Sequence, residues 1–150
     1  YRLLGSAPEV DILVLDLGSE VDTVEFNSNP DLLRSKKQNR LLTSYALRLV
    51  SKGIATQTPK LIGAGATLSS WANQSILPKD YFTELLNVFE LSGVWGVNTA
   101  HSGTVMGILY DSEQIGTAKL KYNLPANLRA KILTKTQMID GGLEVVASDS

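Results

Sequence analysis

The sequence predicts a single α+β domain, with a mostly antiparallel sheet and helices packed on one face. Residues 10–17 form a short, nearly continuous apolar run, and residues 31–92 show helical spacing with no strand signal between the helices. Residues 93–147 hold two pairs of apolar runs, each pair joined by a short polar turn. A run of helices followed by hairpin strands is typical of the α+β class. A length of 150 residues fits one domain with a sizeable core.

The first predicted strand, residues 10–17 (VDILVLDL), stops at Gly18. All seven charged residues from Glu9 to Asp31 are acidic. Carboxylates at this density are able to bind Mg²⁺ or an ammonium group. A solvated strand edge and loop is the commoner arrangement, because charged side chains are mostly exposed.

Three prolines mark the starts of three predicted helices in residues 31–92. Pro30 begins the first, which carries an apolar stripe through residues 41–50 and ends at Gly53. Thr58 is the predicted N-cap of the second helix, with Pro59 at its first position. The third helix opens at Pro78 and closes before residue 93.

The second half of the chain predicts two hairpins with a short helix between them. Residues 94–110 form two strands around a polar insert at 101–104, and Asp111 is placed to cap a helix over residues 113–122. Residues 131–139 form the next strand, followed by a turn at 140–142 and a return strand at 143–147.

Composition excludes several classes of function. The net charge of −1 gives no support for binding nucleic acid or a membrane surface. The absence of cysteine excludes disulfides, thiolate nucleophiles and cysteine-based zinc sites, and fits a reducing cytoplasm. A single histidine excludes a multi-histidine metal site within the chain, so no metal ligand is assigned. No run approaches the length of a membrane helix, and no signal peptide is recognisable in a chain that begins with Tyr1.

The insert of His101, Ser102, Gly103 and Thr104 is the main candidate site. It offers backbone N–H groups, two hydroxyls and an imidazole, which together suit phosphate or carboxylate oxygens. Gly103 permits close approach of a ligand, and we expect Gly107 to leave room for a group packed over the sheet. A tight hairpin turn with a structural histidine is the simpler interpretation, and spacing alone favours it.

Three strings, in this order, resemble the GHMP kinases, and within them the L-threonine kinases of cobalamin synthesis and propanediol use. They are residues 18–27 (GSEVDTVEFN) after the first strand, the helix at 66–74 (ATLSSWANQ), and residues 93–109 (GVWGVNTAHSGTVMGIL). The last string is similar to the third motif of that superfamily, with Ala-His-Ser-Gly-Thr where many relatives have Gly-Ala-Gly. The resemblance extends over about residues 10–146.

The resemblance implies a ferredoxin-like sheet of the kind found in the C-terminal domain of a GHMP kinase. The phosphate-wrapping Gly-Leu-Gly-Ser-Ser loop of the family is missing from residues 1–150. ATP and Mg²⁺ are therefore expected to be bound mainly by an N-terminal half, which becomes a partner of this domain. For the same reason Asp16, Asp22 and Glu25 are not assigned as Mg²⁺ ligands, and no catalytic residue is assigned.

The expected function is that of the C-terminal domain of an ATP-dependent kinase, which converts L-threonine to O-phospho-L-threonine for cobalamin side-chain synthesis. His101, Ser102, Gly103 and Thr104 would shape the phosphate site, with Asp22, Thr23 and Asn73 toward the amino-acid substrate. The isolated chain is expected to be inactive. The alternative is a non-catalytic ferredoxin-like module that binds a small molecule or forms a homodimer.

Overall fold

The computed structural model describes residues 4–18, 37, 39–100 and 104–141. Its elements, in chain order, are β1 (Asp11–Asp16), α1 (Arg40–Ala55), α2 (Pro59–Gln74), α3 (Phe82–Leu86), a 3₁₀ helix (Asn87–Glu90), β2 (Val94–Thr99), β3 (Val105–Tyr110), α4 (Ser112–Ile115), α5 (Thr117–Asn123), α6 (Ala126–Arg129) and β4 (Ile132–Gln137). The predicted helix entry at Pro30 and the return strand at 143–147 lie outside the described residues.

The four strands form one antiparallel sheet in the order β2-β3-β1-β4. The predicted α+β class and antiparallel sheet are confirmed, and this strand order is consistent with a ferredoxin-like domain. Strand β1 lies at the centre because residues 11–15 pair with both β3 and β4. Strands β2 and β4 form the two edges of the described sheet.

The sequence predicts helices on one face of the sheet, but residues from helices pack on both faces, and one of the two clusters is larger. In the larger cluster Leu13 and Leu15 of β1 pack with Ile108 of β3 and with residues from α3, α4, α5 and α6. The opposite face carries a smaller cluster built on Val10, Ile62 and Leu109. The division follows from the alternation of side chains along a strand, which sends neighbouring residues to opposite faces.

Helix α2 lies against edge strand β2 with the two backbones in direct contact. A Cβ atom added at Gly63 would lie 2.1 Å from the carbonyl oxygen of Trp95, and one added at Gly96 would lie 2.2 Å from the carbonyl oxygen of Gly63. No side chain fits between the helix and the strand at this point. The two glycines therefore set the distance between α2 and the sheet.

Side chains of α2 also satisfy the outer edge of β2. The backbone N–H of Val97 donates to Thr67 Oγ1 at 3.0 Å, and Ser70 Oγ donates to the Val97 carbonyl at 3.4 Å. An unpaired strand edge is a template for aggregation, and covering it with a helix is one way in which proteins protect it. Helix α2 thus takes the place of a neighbouring strand.

Helix α1 forms an outer layer that packs on α2. Its buried residues are Ala46 and Gly53, and the Cβ of an alanine at Gly65 would approach the Ala46 carbonyl oxygen to 2.7 Å. The predicted apolar stripe of α1 is only partly buried, because Leu41 is 83% exposed and Tyr45 is 58% exposed.

Asp11 is a buried acid that joins β1 to β4. Its carboxylate pairs with Lys135 Nζ at 2.9 Å and accepts a hydrogen bond from Gln137 Nε2 at 3.0 Å. Burial acts to raise the pKa of Asp11, but hydrogen bonds from Ser112, Lys135 and Gln137, with the charge of Lys135, hold it below its usual value. Because the pKa is lowered on folding, the ionised acid stabilises the fold at neutral pH, and this contribution is lost as the pH falls through the folded value.

We expect the variant Asp11→Asn to lower the free energy of unfolding at pH 7 by about 1–2 kcal/mol, the range for a hydrogen-bonded charged group paired with a partly solvated lysine. The difference from the parent should shrink below about pH 4, near the ordinary aspartate pKa. Urea titrations at pH 7 and pH 3 measure both values. Glu9→Gln, at an exposed position on the approach to β1, is the control and should have little effect. If Asp11→Asn lowered the free energy of unfolding by the same amount at pH 3 as at pH 7, the stabilising role of the ionised Asp11 carboxylate would be contradicted.

Candidate functional site

The β2–β3 hairpin carries the predicted site at one end of the sheet. The Ala100 N–H donates to the Val105 carbonyl at 2.9 Å, which closes the hairpin on both sides of residues 101–103. The Leu17 N–H then donates to the Thr104 carbonyl at 2.9 Å. The end of β1 is thereby joined to the start of β3, directly beside the predicted site.

Of the residues predicted for the site, Thr104 and Asn73 are described. His101, Ser102, Gly103, Asp22 and Thr23 lie outside the described residues, so their assignments remain predictions. Asn73 is half-buried in the last turn of α2, where its carbonyl accepts hydrogen bonds from Ile76 N at 3.0 Å and Leu77 N at 2.8 Å.

The direction of α2 relates Asn73 to the hairpin end. Early in the helix Gly63 touches Trp95, and further along Thr67 and Ser70 bond to Val97. The helix and β2 therefore run in the same direction, and the C-terminal turn of α2 points toward the end of β2 that leads into the hairpin loop. Asn73 and Thr104 belong to the same end of the sheet.

Gly107 holds open the space that the sequence predicted. A Cβ atom at Gly107 would lie 2.3 Å from Asn98 Oδ1 and 2.7 Å from Ile12 Cγ2. The group packed over Gly107 is therefore the carboxamide of Asn98. Asn98 Oδ1 and Thr99 Oγ1 are buried and have no hydrogen-bond partner within the described part of the chain. Two unsatisfied polar atoms on adjacent residues, just before the loop, are unusual in a folded protein.

Lys79 is a buried cation beyond the C-terminus of α2 and was not predicted as a site residue. It is 8% exposed, and its backbone N–H donates to Gln74 Oε1 at 2.7 Å. Burial lowers the pKa of the Lys79 ammonium, while the charge of Asp80 acts in the opposite direction. A single lysine after a proline gives no signal in the sequence, since its burial depends on the packing of α2 and α3.

Lys131 is a second lysine at the loop end of the sheet that the sequence did not indicate. Its carbonyl accepts from Asp16 N at 2.8 Å, and its Nζ donates to the Leu17 carbonyl at 3.3 Å. Its ammonium also lies 5.3 Å from the centroid of the Tyr81 ring, within the range of a cation–π contact. Tyr81 itself has a φ of +66°, which interrupts the helix predicted to open at Pro78.

A separate apolar cavity of about 400 Å³ lies between α2, the 3₁₀ helix and β2. It is lined by Ala64, Thr67, Leu68, Trp71, Phe89 and Trp95. The indole Nε1 of Trp95 is buried without a partner in the described residues. The cavity has no charged lining residue and is not part of the hairpin site.

Neither a metal cluster nor a membrane helix is found within the described ranges. Residues 4–18, 37, 39–100 and 104–141 bring no three histidine, cysteine, aspartate or glutamate side chains together in a way that could hold a metal ion. In the same part of the chain, no helix is long and apolar enough to span a membrane.

Comparison with known proteins identifies two relatives that carry the same name. The chain is 33% identical over 146 residues to the L-threonine kinase of Salmonella typhimurium, an alignment that covers 92% of this chain and 47% of the relative. This chain is homologous to the C-terminal part of an L-threonine kinase. The resemblance predicted from the three strings is thereby confirmed.

A second L-threonine kinase, from Citrobacter freundii, is 32% identical over 117 residues, covering 78% of this chain and 40% of the relative. The chain therefore spans less than half the length of each of these L-threonine kinases, whose remaining part lies N-terminal to the matched region. No protein-family model matches the chain, and no solved structure is significantly similar to it.

Proposed function

We propose that this chain is the C-terminal domain of an ATP-dependent kinase that transfers a phosphoryl group to the hydroxyl of L-threonine. The observation that carries the proposal is the similarity to an L-threonine kinase over 92% of the chain. The product would be O-phospho-L-threonine, and the proposed setting is cobalamin side-chain synthesis in the cytoplasm.

Phosphoryl transfer depends mainly on positioning the reactants and stabilising charge. In the proposed site, backbone N–H groups and the hydroxyls of Ser102 and Thr104 donate to phosphoryl oxygens, and His101 and Gly103 shape the loop around them. The position of this site is supported by the hydrogen bond from Ala100 N–H to the Val105 carbonyl, which flanks the loop. The bond from Leu17 N–H to the Thr104 carbonyl also joins the end of β1 to the start of β3.

The amino-acid end of the substrate is proposed to face Asp22, Thr23 and Asn73, with the Asp22 carboxylate pairing to the substrate ammonium. The position of Asn73 supports this role, since it is half-buried in the last turn of α2, at the hairpin end of the sheet. Asn98 Oδ1, buried beside the loop, is a further acceptor at this end.

ATP and Mg²⁺ are proposed to bind mainly to the N-terminal half of the whole protein. The described residues fit only part of such a site, because they supply lysine ammonium groups near the hairpin but no cluster of three metal-ligating side chains. When bound, Mg²⁺ would neutralise charge on the phosphoryl oxygens. The residues of this chain would orient the threonine hydroxyl and the phosphoryl group.

A thermal-shift screen tests the proposal on a protein that joins this chain to the ATP-binding half. A ligand that binds the folded state at a hundred times its Kd stabilises it by about 2.7 kcal/mol. We expect threonine with ATP and Mg²⁺ to raise the melting temperature more than homoserine or serine with the same nucleotide. A larger shift with homoserine would overturn the substrate assignment, and no shift with any nucleotide would overturn the kinase assignment.

A non-catalytic binding or dimerisation module is the second candidate. The observation that favours it is the exposed apolar surface of α1, where Leu41 is 83% exposed and Tyr45, one turn later, is 58% exposed. Surfaces of this kind mark sites of interaction between proteins. The same surface also suits contact with an N-terminal half or with a second copy, so activity decides between the two candidates.

The isolated 150-residue chain is expected to show no threonine phosphorylation, and a clear rate from it would contradict the division into two halves.

A further inference from the structure

Lys131 is fixed at the end of β1 through both its backbone and its side chain. Its carbonyl accepts from Asp16 N at 2.8 Å, and its ammonium donates to the Leu17 carbonyl at 3.3 Å. The face of Tyr81 lies 5.3 Å from the ammonium and limits the space it occupies. A lysine side chain usually has considerable rotational freedom on a surface, and these contacts reduce it.

Leu17 links this ammonium to the predicted phosphate site. The Leu17 carbonyl accepts from Lys131 Nζ, and the Leu17 N–H donates to the Thr104 carbonyl at 2.9 Å. Lys131 and Thr104 are therefore hydrogen-bonded to the carbonyl and the N–H of the same residue. The ammonium is held at the end of β1, and that end is joined to Thr104, the described member of the predicted phosphate-binding set.

The charge of Lys131 is not neutralised within the described part of the chain. An ammonium has three donors, and within the described residues the Lys131 ammonium forms one hydrogen bond and lies against one ring face. No carboxylate of the described residues forms an ion pair with it. Lys135, four residues later, also lies over a tyrosine ring, but its ammonium pairs with Asp11 at 2.9 Å. The nearest acid along β1, Asp16, accepts from Gly18 N with its carboxylate.

We propose that Lys131 binds a phosphate-type anion at the hairpin end of the sheet, beside Thr104. The ammonium supplies positive charge and free donors, and Tyr81 and Leu17 hold it in place. An ammonium restrained in this way binds a phosphate oxygen at less entropic cost than a mobile one. The inference rests on the proposed function only for the statement that the natural anion is a transferred phosphoryl group or a nucleotide phosphate.

Titration of inorganic phosphate into the ¹⁵N-labelled 150-residue chain tests the inference, with the amide signals of Leu17 and Thr104 as reporters. In the parent, we expect the chemical shifts of both signals to change as phosphate is added and to level off at high phosphate concentration. Lys131→Met should weaken binding by about tenfold or more, the effect of losing a charge-assisted hydrogen bond, and Lys131→Arg should retain most of it. Lys119→Met, which removes an equal charge from an exposed position on α5, is the matched control and should bind as the parent does.

Equal binding by Lys131→Met and the parent, with both proteins folded by circular dichroism, would overturn the inference. So would the absence of any shift at Leu17 and Thr104 in the parent. Threonine phosphorylation by the two-half protein separates this result from the proposed function. Lys131-dependent phosphate binding in a two-half protein that does not phosphorylate threonine would leave the inference in place and overturn the proposed function. Threonine phosphorylation by a two-half protein in which Lys131→Met and the parent bind phosphate equally would overturn the inference and leave the function in place.

Discussion

Replacing Gly63 with alanine is expected to destabilise the domain by about 3 kcal/mol or more, beyond the usual cost of overpacking a core position. The added methyl group would lie 2.1 Å from the Trp95 carbonyl oxygen and 2.4 Å from its carbonyl carbon. Both are backbone atoms of the sheet edge and cannot move aside as a side chain can. Helix α2 would have to withdraw from β2, which would also lengthen the hydrogen bonds of Thr67 and Ser70 to Val97.

Packing and helix propensity predict opposite changes in the free energy of unfolding for Gly63→Ala. Alanine in place of glycine inside a helix is expected to stabilise by about 1 kcal/mol on propensity alone. Ser69→Ala, at an exposed position of the same helix, is the control and should change stability by less than about 0.5 kcal/mol. Urea unfolding followed by far-ultraviolet circular dichroism measures all three proteins. A Gly63→Ala protein as stable as the parent would contradict the direct contact of helix and strand.

The double variant Ser102→Ala/Thr104→Ala is expected to reduce threonine phosphorylation by about a hundredfold or more, because removing a single donor to developing charge typically costs that much. The change removes two hydroxyl donors from the proposed phosphate site and leaves the backbone N–H groups. The measurement is kcat and KM in the protein that joins this chain to the ATP-binding half. The loss should appear mainly in kcat if the donors act on the transferred phosphoryl group.

Thr136→Ala provides the matched control for the hydroxyl substitutions. Thr136 lies on β4 and is exposed, at the register position opposite Ile12. Removing the Thr136 hydroxyl should leave kcat and KM close to those of the parent. If the double variant had parent kinetics, residues 101–104 would be a structural turn, which is the interpretation that spacing alone favours.

Local signals in the sequence predicted several elements correctly. Pro59 begins α2 as expected, and Thr58 occupies the N-cap position, although its hydroxyl donates to the Thr56 carbonyl and makes no capping hydrogen bond. Asp111 caps α4 with hydrogen bonds from Glu113 N at 3.0 Å and Gln114 N at 3.3 Å. These features depend on residues close together in the chain, so their chemistry can be recognised without the fold. The single predicted helix at 113–122 is two helices, because Gly116 adopts a φ of +62° between them.

The buried faces of the two long helices were predicted less well. Helical spacing in the sequence places Gly65, Leu68 and Trp71 on one face of α2. Gly65 is buried as this spacing predicts, but Trp71 is 57% exposed, and Gly63 is buried as well. Hydrophobic periodicity assumes that the buried face is the most apolar one. In α2 the buried face carries the smallest side chains, because this face lies close to the backbone of β2 and to α1. The small residues at 63–65 indicate close packing of a neighbour, and the structure identifies the neighbours as β2 at Gly63 and α1 at Gly65.

The candidate site was predicted only where a motif marks it. The string around residues 101–104 was recognisable, and Gly107 indicated a packed group, which the structure identifies as Asn98. Lys131 and Lys79 were not predicted, because their relation to the hairpin depends on contacts across long sequence separations. The bond from Lys131 Nζ to the Leu17 carbonyl, for example, joins residues 114 positions apart.

We propose that this chain supplies the C-terminal, phosphate-contacting half of a threonine kinase. The measurement joins this chain to the N-terminal part of the Salmonella typhimurium relative and follows product formation by phosphorus NMR. We expect O-phospho-L-threonine and ADP to form in equal amounts, with threonine preferred over homoserine and serine. A folded two-half protein that consumes no ATP in the presence of threonine, or that phosphorylates homoserine in preference to threonine, would contradict the proposed function.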